Sequence, residues 1–119
     1  MKHTIDCPAE RAIYFLGGKW KIRILFSLLN NKKIRFGELK KGLKTITQQM
    51  LSKQLKELET DGIVNRKVYQ VVPPKVEYSL TEFGTSVMPI LKSFSEWNKR
   101  NTRTIALKLN KHFEESRIR

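Results

Sequence analysis

Cysteine is almost missing from this chain of 119 residues, with Cys7 the single one. A lone thiol excludes an intrachain disulfide, and the only two histidines, His3 and His112, stand near opposite ends, so no four-ligand zinc set is assembled. No metal and no cofactor are expected. Long apolar runs are missing too. Nothing approaches the roughly 20 consecutive apolar residues of a spanning helix, which excludes a transmembrane segment and leaves no membrane partner expected. The opening Met1 to Cys7 has neither the apolar stretch nor the small-residue cleavage site of an export signal, so the chain is read as cytoplasmic. Catalytic signatures are absent as well. There is no G-x-S-x-G, and Gly17-Gly18 falls between two helical stretches instead of after a strand, where a phosphate-cradling loop needs it. His3 and Cys7 are four apart, but the segment before Pro8 is not expected to be helical, so the spacing makes no nucleophile and base. The reading is a non-enzyme.

Acidic residues are scarce against basic ones: 11 Asp plus Glu face 24 Lys plus Arg, for a net charge of +13. The excess is focused. Residues 31 to 60 and residues 91 to 119 each carry eight cations and three anions, whereas residues 61 to 90 are balanced. Concentrated positive charge attracts polyanions by steering and counterion release, which puts nucleic acid ahead of an anionic membrane surface as partner. With 39% hydrophobic residues the chain can still bury a modest core, at the commonest single-domain size.

Hydrophobic spacing predicts the organisation. Pro8 opens a short helix through Leu16, with Ala12, Ile13 and Leu16 at helical spacing and Gly17-Gly18 as the stop. Trp20, Ile24, Leu25, Leu28 and Leu29 then form the apolar stripe of a second helix ending at Asn30-Asn31. Phe36, Leu39 and Leu43 mark a short basic third helix closed near Gly42, followed by a tight turn at Lys44-Thr45-Ile46. Thr47 caps a fourth helix running to about Thr60, whose apolar side is Met50, Leu51, Leu55 and Leu58 and whose stop is Gly62. The period then shifts toward two. Ile63 to Tyr69 and Val76 to Leu80 read as the strands of a hairpin turning through Pro73-Pro74. Thr81 caps a last helical region bearing Phe83, Val87, Leu91, Phe94, Trp97, Ile105 and Leu109, which Pro89 should kink or divide. The fold class is α+β, mainly helical.

A short helix, a tight turn, a second helix with a polar outer face and a hairpin make a winged helix-turn-helix. In that unit the helix beginning at Thr47 enters the major groove, where Gln can bond bidentately to adenine and Lys can reach guanine. Gln48, Gln49, Ser52 and Lys53 are the candidate base readers. Arg35, Lys40, Lys41 and Lys56 are candidate phosphate contacts, and Arg66, Lys67 and Lys75 give the wing its basic groups.

The strings Cys7-Pro8-Ala9-Glu10-Arg11, Leu16-Gly17-Gly18-Lys19-Trp20, Arg35-Phe36-Gly37-Glu38-Leu39, Leu51 to Gly62 and Val72 to Thr81 resemble the HxlR-type transcriptional regulators. The match runs from Cys7 to about Trp97. The resemblance implies a MarR-like winged helix over residues 1–119, with the helix-turn-helix at about 36–61, the wing at about 63–80 and dimerisation helices at about 8–16 and 81–109. It implies a homodimer on double-stranded DNA, with Phe94 and Trp97 as interface or core residues. Two-fold pairing lets two such helices read a pseudo-palindromic operator with half-sites roughly 34 Å apart. A small dimer without an activation domain acts most simply as a repressor, by occlusion, in association with the nucleoid.

Some relatives of this type respond to oxidants or electrophiles through a cysteine at the position of Cys7. The start of a helix favours a reactive thiol, whereas Asp6 alongside opposes it; a small-molecule or oxidant effector therefore stays open. The alternative for the whole chain is a sequence-neutral, chromatin-type basic protein, although such binders of single strands offer exposed aromatic platforms and here the aromatics fall on apolar stripes.

Overall fold

The structure, a computed structural model, describes residues 5–118. It divides between Ser86 and Val87 into two compact units. In the first, α1 (Pro8–Leu16) starts on its proline and ends where the Gly17 amide donates to the Ile13 carbonyl at 2.7 Å. It is followed by α2 (Lys21–Asn30), β1 (Ile34–Arg35), α3 (Phe36–Leu43), α4 (Gln48–Thr60), β2 (Val64–Tyr69), β3 (Lys75–Leu80) and the single-turn α5 (Glu82–Thr85). The second unit holds α6 (Met88–Arg100) and α7 (Thr102–Ile118).

The core follows the apolar spacing. Ile24, Leu25 and Leu28 of α2, Leu39 of α3 and Leu51, Leu55 and Leu58 of α4 are essentially inaccessible, together with Ile63 and Val64 at the entry to β2. Removing each such side chain from water contributes about 1.5–3 kcal/mol, which is what holds three amphipathic helices against the sheet. Buried Ile63 is reached from α5. The Thr81 hydroxyl donates to the Gly62 carbonyl at 2.6 Å and accepts from the Gly84 amide at 2.9 Å, so one side chain caps α5 and ties it to the end of α4.

The sheet is antiparallel with strand order β1-β3-β2. The expected hairpin is β2 and β3, in a register that sets Val64 opposite Leu80 and Tyr69 opposite Lys75. The third strand, β1, is an addition: at two residues it is too short to alternate visibly, and it exists because Ile34 and Arg35 pair with Tyr78 and Glu77.

The turn between α3 and α4 is tighter than glycine-free sequence normally allows. Lys44 has φ +64°, and the Thr45 amide donates to the Leu43 carbonyl at 2.9 Å across it, a γ-turn in its rarer hand. The same carbonyl also accepts from the Arg23 guanidinium at 3.3 Å, which anchors the turn to α2.

Three expectations are corrected. The region after Thr81 is three helices and not two: the expected division falls just before Pro89, which lies in the first turn of α6, where a missing amide donor costs nothing. A further break falls at Asn101, whose backbone leaves the helical region (φ −124°, ψ 24°): its amide and its side chain both donate to the Trp97 carbonyl, at 3.2 and 2.9 Å, while the Thr102 hydroxyl donates to the Asn98 carbonyl at 2.8 Å. Helix α7 then persists to Ile118, beyond the expected end near Leu109. Met50 is exposed, not part of the core side of α4: the stripe narrows to Leu51, Leu55 and Leu58, and the Met50 sulfur accepts from the Gln54 amide at 3.4 Å. Finally, Phe94 and Trp97 belong to no core of the chain, being 52% and 57% exposed.

Candidate nucleic-acid interface

Helix α4 presents its polar face because Thr47, in extended conformation, stops the preceding turn and accepts from the Met50 amide at 3.1 Å. That start fixes the rotation of the helix. With Leu51, Leu55 and Leu58 inward, Gln48, Gln49, Ser52 and Lys53 all stand exposed, and Gln48, Gln49 and Ser52 line one shallow concavity. The first turn contains no acidic residue. Two amides, a hydroxyl and an ammonium can therefore meet base edges without a carboxylate to repel the backbone.

Glu57, one turn along α4 from Lys53, is paired with a cation of α2. Glu57 accepts from the Lys21 ammonium at 2.9 Å, and Lys21 is buried. The hydrogen bond from Lys21, its charge and, more weakly, the charge of Lys53 hold the Glu57 carboxyl below its ordinary value, against a small opposing effect of burial. Tyr14, Lys53, Lys56, Thr60 and Asp61 surround this pair in a cleft.

The wing divides its cations between two faces. Side chains alternate along a strand, so Arg66, paired with Tyr78, points opposite to Lys67 and Tyr69, paired with Glu77 and Lys75. Arg66 joins α4: it shares a concavity with Ser52, Lys56, Glu59, Thr60 and Tyr78. Arg35 pairs with Glu77 from the other side, which places it on the same face as Lys67 and Lys75. The sequence had grouped Arg66 with the two lysines and Arg35 with the helix cations; the strand register regroups them.

On the Lys67 face the side chains engage one another. The Lys67 and Lys75 ammonium groups lie 4.8 and 4.7 Å from the centre of the Tyr69 ring, and Lys75 is 3.5 Å from the Glu77 carboxylate. Hydrogen bonding between Tyr69 and Glu77 raises the phenol above its usual value and lowers the carboxyl below its own, the latter with help from Lys75 and Lys33. Tyr69 and Glu77 were missed by the sequence reading. Their cross-strand partners follow only from the register, which the five-residue loop Gln70 to Pro74 leaves undetermined.

The remaining candidates are placed as follows. Lys40 and Lys41 lie in the last turn of α3, where cations also complement the negative helix end. Lys56 is exposed on α4. Cys7 is exposed at the N-cap of α1 and makes no side-chain capping bond. Helix α1 itself leaves Ile13 and Tyr14 largely exposed and Phe15 partly so. Among the described residues no group of metal-ligating side chains occurs, and no helix is long and apolar enough to cross a membrane.

Comparison with known proteins gives the family and the fold. Residues 15–106 match the family model of HxlR-like helix-turn-helix proteins. An HTH-type transcriptional regulator of Halalkalibacterium halodurans is 48% identical over 101 residues, spanning 85% of this chain and 89% of that protein. Among solved structures, the redox regulator HypR in its reduced form is similar with a TM-score of 0.80 at 46% identity, over 84% of this chain and 98% of the other. The reduced form of the transcriptional regulator YodB from Bacillus subtilis gives 0.73 at 35% identity, over 84% and 98%.

Proposed function

Since the chain belongs to the HxlR-like helix-turn-helix family and is a transcriptional regulator of that type, we propose that it reads a pseudo-palindromic double-stranded operator as a homodimer and represses by occluding it. The observation that carries this reading is the acid-free, exposed start of α4 with Gln48, Gln49, Ser52 and Lys53 on one side. Gln48 or Gln49 pairs bidentately with adenine, Lys53 reaches guanine, and Ser52 accepts or donates to either. Arg35, Lys40, Lys41, Lys56 and the wing cations Arg66, Lys67 and Lys75 hold the phosphates that set register. The protein works in the cytoplasm, on the nucleoid.

Dimerisation uses the apolar surface that one chain leaves in water. Phe94 and Trp97 on α6 are large and exposed, as are Ile13 and Tyr14 on α1, and large apolar side chains in such numbers favour burial against a second copy. Cys7 supplies a signal input. Its thiol is exposed, and HypR, a structural neighbour, is described as a redox regulator. An oxidant that accepts two electrons and two protons joins two Cys7 thiols across the dimer, or one Cys7 to a small thiol; an electrophile alkylates it.

Substitution separates sequence reading from mere attraction. Gln49→Ala and Lys53→Ala each weaken operator binding by about 1–3 kcal/mol while leaving random-sequence DNA and the dimer little changed. Equal losses on operator and random DNA favour the sequence-neutral basic binder.

A further inference from the structure

The wing lysines are long, flexible and strongly hydrated, and ordering such a side chain on binding carries an entropic cost. In this structure both ammonium groups lie against one ring. Lys67 reaches the Tyr69 ring from two positions back on β2, and Lys75 reaches the same ring from directly across on β3. The ring face attracts an ammonium through its quadrupole and uses none of the ammonium's hydrogen-bond donors, so the donors that Glu77 does not take stay free for oxyanions. Glu77, opposite Lys67 and 3.5 Å from Lys75, closes the square. Arg35 flanks it from β1. The result is a row of cations fixed around one aromatic ring and one carboxylate.

We propose that Tyr69 is a positioning residue of the wing, holding Lys67 and Lys75 on its ring as a preset pair of contacts for the phosphate backbone of duplex DNA. This rests on the reading that the wing binds DNA. The role belongs to the ring and not to its hydroxyl. The ring face, not the hydroxyl, meets the two ammonium groups, so losing the hydroxyl leaves the lysine pair in place.

A mutant cycle on a mixed-sequence duplex of about three helical turns, followed by fluorescence anisotropy across a salt series, tests both layers. Lys67→Ala with Lys75→Ala lowers the slope of log K against log salt by about 2, near 0.9 for each phosphate contact. Tyr69→Leu weakens binding roughly three- to tenfold in the parent chain and not at all in the double-lysine variant. Tyr69→Phe binds like the parent. Equal weakening by Tyr69→Leu in both backgrounds, or none in the parent, overturns the positioning role while leaving the wing contact standing. A double-lysine variant that binds like the parent removes the wing contact and the positioning role together. Ring-current displacement of the Lys67 and Lys75 side-chain NMR resonances reads the same arrangement in the unaltered protein, and its absence overturns it even where Tyr69→Leu fails to fold.

Discussion

Lys21 of α2 and Glu57 of α4 meet at 2.9 Å, a buried ammonium held by a carboxylate on the helix that carries the candidate base readers. The pair ties α4 to α2 and sets a cation against the one carboxylate in the middle of α4, whose side chain stays partly exposed. Breaking it from one side leaves Lys21 buried and unpaired, so Glu57→Ala destabilises more than the joint replacement Lys21→Met with Glu57→Leu. Thermal denaturation of the three proteins decides the order.

The same pair makes stability pH-dependent with a defined sign. The Glu57 carboxyl is depressed in the folded chain by Lys21. Its contribution is therefore complete above the ordinary carboxylate value and is lost as pH falls through the lower folded value. Melting temperatures of the parent and Glu57→Gln should converge as the buffer is taken from about pH 6 toward about pH 3. A difference between them that stays constant over that range contradicts the assignment.

Lys44 occupies a backbone region that costs a side chain about 1–3 kcal/mol. Lys44→Gly relieves that strain but enlarges the freedom of the unfolded chain, so a net gain of up to about 1 kcal/mol is expected, and Lys44→Val should lose stability. Urea denaturation of both variants checks the sign.

Gly84 is buried, and a Cβ there would overlap the Ile63 carbonyl oxygen. Because that neighbour is backbone, Gly84→Ala should cost about 1–3 kcal/mol through displacement of α5. Thr81→Ala should cost about 1 kcal/mol by removing the cap that ties α5 to Gly62. Chemical denaturation measures both.

Much of this architecture is legible in the residues, and the failures have physical causes. Helix α4 is bounded by Thr47 and Gly62 and striped by Leu51, Leu55 and Leu58, so cap, stop and period agree. Strand β1 lacks enough residues to show a period, and its existence depends on Tyr78 and Glu77, which are more than 40 residues away. The break at Asn101 goes with local side-chain bonds, from Asn101 to the Trp97 carbonyl and from the Thr102 hydroxyl to the Asn98 carbonyl, which apolar spacing does not register. At the candidate interface the exposed polar face could be read from α4 alone, whereas the division of wing cations needed the register of β3. A shift of one residue would have exchanged Arg66 with Lys67 between the faces.

Exposed Phe94 and Trp97 predict a concentration-dependent assembly. Trp97→Ser with Phe94→Ser should shift the chain toward monomer in sedimentation and lower operator affinity at least tenfold, because two half-sites are then no longer read together. An unchanged dimer would assign these aromatics elsewhere.

The central claim, that α4 reads bases and not charge alone, is tested most directly by capturing genomic DNA fragments with the purified protein at about 150 mM salt, where non-specific attraction is screened. Recovery of a pseudo-palindromic motif that Lys53→Ala no longer selects is the expected result, with capture lost in a thiol oxidant unless Cys7 is replaced by Ser. Uniform capture of fragments, indifferent to Lys53, would contradict the account and leave a sequence-neutral binder.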